Sequence, residues 1–275
     1  MNNLRYENNR YEDNRNIYIE KHNLLFFRVP KVAITSIRMI SASLLGHNLK
    51  EEKQLQQIRL PSIPTSEIKN YPKIYKVAFV RNPWERLLSC YLQKKNKIAS
   101  AFFKRNKLSS ELSFKDFATA VCDIPDHKSD RHFRSQFTFI TDTEANLLPN
   151  FIGAFSSFSE DIARVLKTNN VPPVEIPHYN KTSHGHYTDY YSTELAEAVG
   201  RRYDIDKQLF GFEYGKDKPK DFYNHWQRPI PNSIKVETLK YKSKKLQHCL
   251  AQMNENTMLP PQNLRQRLRI LLKGK

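Results

Sequence analysis

Two short segments carry residue types that hold anions. The first, VPKVAITSI at positions 29–37, sets Lys31 and the hydroxyls of Thr35 and Ser36 between an apolar run and an amphipathic stretch. The second, RNPWERLLSCY at 81–91, follows another apolar run with Arg81, then Arg86 and Ser89 three residues apart. At a strand-to-helix turn, free backbone amides and the helix dipole favour a negative guest, for which phosphate is well suited. Lys31 would add a mobile charge, and Thr35 and Ser36 could donate to phosphate oxygens without any glycine. Arg81, at a strand end, can take a phosphate with both arms of its planar fork. The same residues also admit a plain structural reading. In it Thr35 or Ser36 caps a helix, Lys31 is a solvated loop lysine, Arg86 is a surface residue paired with Glu85, and Ser89 is a small packing residue. Pattern alone leaves both readings open.

The elements that must position these residues follow from apolar patterning. LLFFRV (24–29) and YKVAFV (75–80) read as buried strands, and NFIGAF (150–155) as a third. SIRMISASLL (36–45) reads as a helix with Ile37, Ile40, Leu44 and Leu45 near one face. After Arg81, Asn82 can cap a helix, Pro83 suits its first position, and Glu85 completes a capping box. Further helices are predicted over 113–121, over 159–170 begun by a serine cap, and from 193 to about Tyr203. The interval 46–72 reads as a connection with one short helix over 50–58. Two strand–turn–helix units predict an α/β fold: a parallel sheet flanked by helices, with its binding edge at the carboxyl ends of the strands.

Around this core, residues 1–20 read as a polar lead-in, 21–215 as the chemical domain, and 216–275 as a basic, helical C-terminal extension. Within the extension, Val236, Leu239, Ser243, Leu246, Leu250 and Met253 follow a three-then-four spacing. That seam fits a helix packed on its own domain, or an oligomer contact through 236–253. Leu264, Leu268 and Leu271 form one face of a last helix ringed by Arg265, Arg267, Arg269 and Lys273, which can lie on an anionic membrane or pack as a solvated helix.

The balance of 45 Lys plus Arg against 28 Asp plus Glu leaves a net charge of +17. Such a field draws polyanions: nucleic acid, an anionic membrane, an acidic polysaccharide or a phosphate-rich cofactor. No glycine-rich loop of the Walker or Rossmann kind is present. Cys90, Cys122 and Cys249 are odd in number and lack CxxC spacing, which points away from a disulfide framework or a zinc site and towards a reducing compartment. No segment matches a signal peptide or the ~18 apolar residues of a membrane span, so a cytoplasmic protein is expected.

VPKVAITS followed by KVAFVRNPWERLLSCY resembles the paired 3'-phosphoadenosine-5'-phosphosulfate (PAPS) motifs of the carbohydrate sulfotransferases, the family that includes the chondroitin, dermatan and HNK-1 enzymes and bacterial relatives. The resemblance continues in order through DRHFRSQF (130–137), NFIGAFSSFSED (150–161), HYNKTSHGHYTDYYSTEL (178–195) and YDIDKQLFGFEY (203–214). It implies a P-loop-kinase-like α/β fold, transfer of a sulfuryl group from PAPS to a carbohydrate hydroxyl with PAP as product, and no metal. By position, Lys31, Thr35 and Ser36 match the loop for the 5'-phosphosulfate end, Arg81 and Ser89 match the 3'-phosphate grip, and Lys181 matches a further cofactor contact. Two positions depart from the family pattern: Ile34 stands where many relatives have Cys, and Ile37 where many have an aromatic.

Sulfuryl transfer is analogous to phosphoryl transfer, catalysed by positioning and electrostatics. Lys31 is the expected catalytic cation and His132 the expected base, with His47 the second candidate. Arg131, Arg134 and Gln136 are candidates to touch a sugar chain, and a glycan is the expected partner. The competing readings are a nucleic-acid-binding module, which needs the basic charge but no PAPS, and a catalytically inactive PAPS- or PAP-binding relative.

Overall fold

The computed structural model describes residues 15–49, 51–93, 112–175 and 185–257. Five strands form one sheet: β1 (Arg15–Ile19), β2 (Leu24–Phe26), β3 (Ser62–Pro64), β4 (Tyr75–Val80) and β5 (Phe151–Ala154), in the order β3-β1-β2-β4-β5. β2 pairs with β4 and β4 with β5 in parallel, whereas β1 is antiparallel to both β2 and β3. The sheet is therefore mixed, not wholly parallel as expected. Its parallel part consists of the three strands that apolar runs announce.

The antiparallel edge has a local cause. β1 and β2 are joined only by the turn Glu20–His22 and Asn23, which takes a left-handed φ of 50°. So short a connection can return a strand only antiparallel. Residues 15–19, assigned to the polar lead-in by composition, form β1, with Ile17 and Ile19 buried in the main core and Asn16 fully buried with its amide satisfied. Its Nδ2 donates to Thr65 Oγ1 at 3.0 Å, and its Oδ1 accepts from the Arg28 amide at 3.3 Å.

Seven helices matter for the site: α1 (Ile34–Leu44), α2 (Pro83–Leu92), α3 (Phe114–Asp123), α4 (Phe158–Thr168), α5 (Thr193–Arg202), α6 (Asp204–Phe210) and α7 (Asn232–Thr257). α1 buries Ile37, Ile40 and Leu44 in the main core with β2, β4 and β5. A second core gathers Trp84, Leu87 and Leu88 of α2, Phe117 and Val121 of α3, and Leu195 and Val199 of α5. α2 also rests on Asn82, whose Oδ1 accepts from the Trp84 amide at 3.1 Å. The serine predicted to cap α4, Ser159, lies inside its first turn; the capping position is Ser157, which makes no side-chain cap bond and gives its hydroxyl to Asp161 at 2.8 Å.

At the carboxyl end of β5, Asp161 is fully buried and also accepts from the Ala154 amide at 3.1 Å and from the Tyr223 hydroxyl. This contact needs Gly153, where an added Cβ would lie 2.5 Å from Phe79 Cε1 and 3.0 Å from Asp161 Oδ2. Gly153→Ala is expected to cost about 1–3 kcal/mol by overpacking, read as a lowered denaturation midpoint with an unchanged m-value.

α7 packs back on the domain, but not through the predicted seam. Val236, Leu239 and Leu246 are exposed, while Ile234, Thr238 and Cys249 are buried. Tyr241 meets Phe137 edge-on at 5.5 Å, and Lys242 donates to the Thr141 carbonyl at 2.9 Å. The packing stripe includes threonine, tyrosine and a lysine stem, so hydrophobic spacing alone points to the wrong face. The proposed membrane helix of 264–273 lies outside the described residues. Among those residues no helix is long and apolar enough to cross a membrane.

Candidate functional site

The turn from β2 to α1 is built on left-handed backbone at two non-glycine residues, Lys31 (φ 69°) and Ala33 (φ 48°). Such conformations cost about 1–3 kcal/mol each and persist where the surroundings over-determine them. Here the surroundings are the second segment. Arg86, only 1% exposed, donates from Nε to the Pro30 carbonyl at 2.9 Å, and Arg81 donates from Nη1 to the Lys31 carbonyl at 3.3 Å. The two motifs are thus one structure, with the loop of the first held by the arginines of the second. Arg86 is no surface residue, and the pairing assigned to it with Glu85 belongs to Arg81.

Because α1 starts at Ile34, Thr35 and Ser36 lie inside its first turn and neither caps it. The capping position is Ala33, which offers no side-chain acceptor. Thr35 is half-buried and Ser36 buried in this turn, and a helix N-terminus with no side-chain cap is the type of position that can take an anion. Lys31 is half-buried and pairs with no carboxylate among the described residues. Burial pushes its ammonium down to about 8, and the neighbouring Arg81 and Arg86 charges push the same way. Ile37 is 2% exposed within the main core, so it faces away from any ligand at this edge.

Arg81 is 8% exposed and pinned on several sides. Its guanidinium carbon lies 4.1 Å from the centre of the Phe155 ring, and Nη2 meets Glu85 Oε1 at 2.6 Å. Its Nε is buried with no hydrogen-bond partner. An unpaired buried guanidinium N–H is costly unless a ligand completes it. The hydroxyl of Ser89, half-buried on α2, makes no hydrogen bond among the described residues.

The 130–137 segment is fastened to the same edge. Gln136 grips the Arg81 backbone from both sides, accepting from its amide at 2.9 Å and donating to its carbonyl at 2.8 Å. Buried Asp206 accepts from the Gln136 and Phe137 amides at 2.7 and 2.9 Å. Burial pushes its carboxyl up to about 6, against the pull of those amides. Arg134 donates from Nε and Nη2 to the Ser129 carbonyl at 3.2 and 2.9 Å and is buried. Gln136 and Arg134 are therefore framework, not sugar contacts as the sequence suggested.

His132 is 38% exposed at its side chain, and its Nδ1 lies 2.7 Å from Asp130 Oδ1, which also accepts the His132 amide at 2.9 Å. Burial would raise the Asp130 carboxyl, but the hydrogen bonds from His132 hold it below the usual range. In the tautomer in which Nδ1 donates to Asp130, Nε2 is the acceptor nitrogen of the ring. The Arg131 carbonyl sits 3.5 Å from Arg86 Nη2, and through Arg86 this loop is tied to the β2–α1 turn. His47 is exposed beyond the far end of α1, about 16 Å along the helix from the turn. Lys181 lies outside the described residues.

Several contributors lie in the quoted segments, but nothing in the sequence assigns them to Arg81. Phe155 and Gln136 reach Arg81 from distant parts of the chain, and Asp206 holds Gln136; Asn82 holds the Glu213 and Lys216 carbonyls at 3.0 and 2.8 Å. Glu85 alone was findable, from its four-residue spacing to Arg81.

The chain is similar to Carbohydrate sulfotransferase 10 of Gallus gallus, with 26% identity over 233 residues covering 70% of this chain and 65% of the relative. The Homo sapiens Carbohydrate sulfotransferase 10 is 25% identical over 234 residues, with the same coverage. Carbohydrate sulfotransferase 14 of Danio rerio is 22% identical over 224 residues, covering 70% of this chain and 60% of the relative. The chain thus spans about two thirds or less of the length of these relatives. No solved structure matches significantly. The Sulfotransferase family profile (Sulfotransfer_2) matches residues 14–213, which include the β2–α1 turn, Arg81 and the Asp130–His132 pair, and the chain belongs to the sulfotransferase family.

Proposed function

We propose that this protein is a PAPS-dependent sulfotransferase that acts on a hydroxyl of a carbohydrate. The observation that carries the reading is the convergence of Lys31, the uncapped first turn of α1, and Arg81 with its unpartnered buried Nε at the carboxyl edge of the parallel strands. These residues fit a nucleotide with anionic groups at two ends: a cation with a helix N-terminus for one, a planar fork for the other. The parallel β2–β4–β5 core agrees with a P-loop-kinase-like arrangement, and the names of the relatives supply the carbohydrate class.

PAPS, when bound, supplies the sulfuryl group. Thr35, Ser36 and the amides of the α1 turn orient that end, and Lys31 sets positive charge where negative charge grows as the sulfur–oxygen bond breaks. Arg81 and Ser89 hold the 3'-phosphate. His132, oriented by Asp130, takes the proton of the acceptor hydroxyl at Nε2. The transfer is in line, so the base must stand opposite the departing PAP. The test is incubation of the protein with PAPS and a panel of glycans, followed by mass spectrometry. Glycans heavier by one sulfate, together with released PAP, are expected; consumption of PAPS by hydrolysis alone across all glycans would sink the acceptor assignment.

Lys31 adds a pH signature. Its ammonium, depressed to about 8, is charged below that value and lost above it. PAP affinity is therefore expected to hold steady from about pH 7, where the phosphates are mostly ionised, and to fall by up to about tenfold per unit above pH 8. Lys31→Arg, charged throughout, should abolish that fall. Calorimetry over pH 7–9.5 reads it, and an equal fall in both proteins would remove Lys31 from the nucleotide site.

A further inference from the structure

We infer that Glu85 is an internal stand-in for the 3'-phosphate: it holds Arg81 in its binding pose while the site is empty, and nucleotide and carboxylate then exchange on the same guanidinium. The inference rests on the proposed nucleotide site and adds to it a residue that sets how tightly the product is retained.

Glu85 stands three residues after the Asn82 cap, where a capping box would turn its carboxylate back to the Asn82 backbone. Its carboxylate instead pairs with Arg81 Nη2 at 2.6 Å. It is the only carboxylate paired with Arg81 among the described residues, beside a second buried arginine and Lys31. A guanidinium that is 8% exposed needs such a counter-charge when no ligand is present. The remaining contacts of Arg81 are with neutral groups: the Phe155 face at 4.1 Å and the Lys31 carbonyl at 3.3 Å. They fix the plane of the fork without competing for an anion.

The Nη2 that Glu85 occupies belongs to both bidentate faces of the guanidinium, and the other group on the side face, Nε, is the buried N–H without a partner. A phosphate that takes two parallel hydrogen bonds must therefore meet Nη2, beside a carboxylate of like charge. Either the carboxylate withdraws or the two anions share one cation, and both cost affinity. When PAP leaves, the carboxylate is at hand to take Arg81 back, which favours release over an empty, unpaired cation. Glu85 is in this sense a positioning residue for Arg81 and a competitor of its ligand.

The charge and the position can be separated. Glutamine at 85 keeps an acceptor of the same shape for Nη2 and removes the competing charge. Glu85→Gln is expected to bind PAP about three- to tenfold more tightly, chiefly through slower dissociation, with 5'-AMP affinity unchanged because that ligand lacks the 3'-phosphate. Glu85→Ala removes the acceptor as well and is expected to fall between wild type and Glu85→Gln. The experiment is calorimetry with PAP and 5'-AMP on all three full-length proteins, with stopped-flow displacement for the dissociation rate. A selective gain for PAP in Glu85→Gln supports the exchange. Unchanged or weaker PAP binding in that variant, or an equal gain for 5'-AMP, overturns it. If glutamine unfolds the protein, a gain for both ligands or for neither in Glu85→Ala overturns it equally. Wild type that does not distinguish PAP from 5'-AMP is a different failure, that of the nucleotide site itself.

Discussion

Arg81→Ala is expected to weaken PAP binding by about a hundredfold or more while leaving 5'-AMP within about twofold, the difference being the 3'-phosphate. The size follows from burial. Removing one partner of a desolvated, hydrogen-bonded charge pair typically costs about 2–5 kcal/mol, far above the worth of an exposed pair. Arg81 also holds the Lys31 carbonyl and balances Glu85, so the alanine variant must be shown to melt near the wild type before its affinity is read. Arg81→Lys restores the charge without the fork and is expected to recover only part of the loss. Equal loss for PAP and 5'-AMP would mean that Arg81 serves the loop and not the phosphate.

His132→Ala is expected to lower turnover by about 10²- to 10⁴-fold, the usual worth of a positioned general base, with PAP affinity preserved. The separation of the two effects rests on geometry. His132 belongs to the 130–137 segment and Lys31 and Arg81 to the two strand-to-helix turns, joined through the Gln136 side chain and the Arg131 carbonyl in contacts that do not involve the imidazole. Asp130→Asn should lie between wild type and His132→Ala, because the amide still orients Nδ1 but no longer supports the charge that the ring gains on taking a proton. Single-turnover rates with saturating PAPS measure both variants. Near-normal turnover in His132→Ala would move the base elsewhere, His47 being the other candidate weighed, at the opposite end of α1.

Much of the scaffold was legible because its signals are local. Strands β2, β4 and β5 are continuous apolar runs; α2 announces itself with the Asn82–Pro83 start, and α3 and α5 fall where helices are predicted, with the serine caps at Ser113 and Ser192 found only in the structure. β1 escaped because its buried Asn16 is satisfied by Thr65 and Arg28, partners that sequence composition does not reveal. The packed face of α7 escaped for a related reason: Thr238, Tyr241 and Lys242 dock through polar atoms and stems, while the more apolar Val236 and Leu239 remain in solvent.

The candidate site divides along the same line. By itself the sequence determined the two strand-to-helix turns, the cations and hydroxyls placed at them, and the order of segments that relates the chain to sulfotransferases. These depend on neighbours within a few residues, where hydrogen-bond geometry and side-chain periodicity are nearly context-free. Only the tertiary structure decided that Arg86 is a buried brace for the Pro30 carbonyl, that Gln136 and Asp206 anchor the Arg81 backbone, and that Glu85 faces Arg81 and not its own helix cap. Most of those choices join residues separated by about 50 to 70 positions, and they are made by which buried donors and acceptors must satisfy one another once the apolar cores have closed.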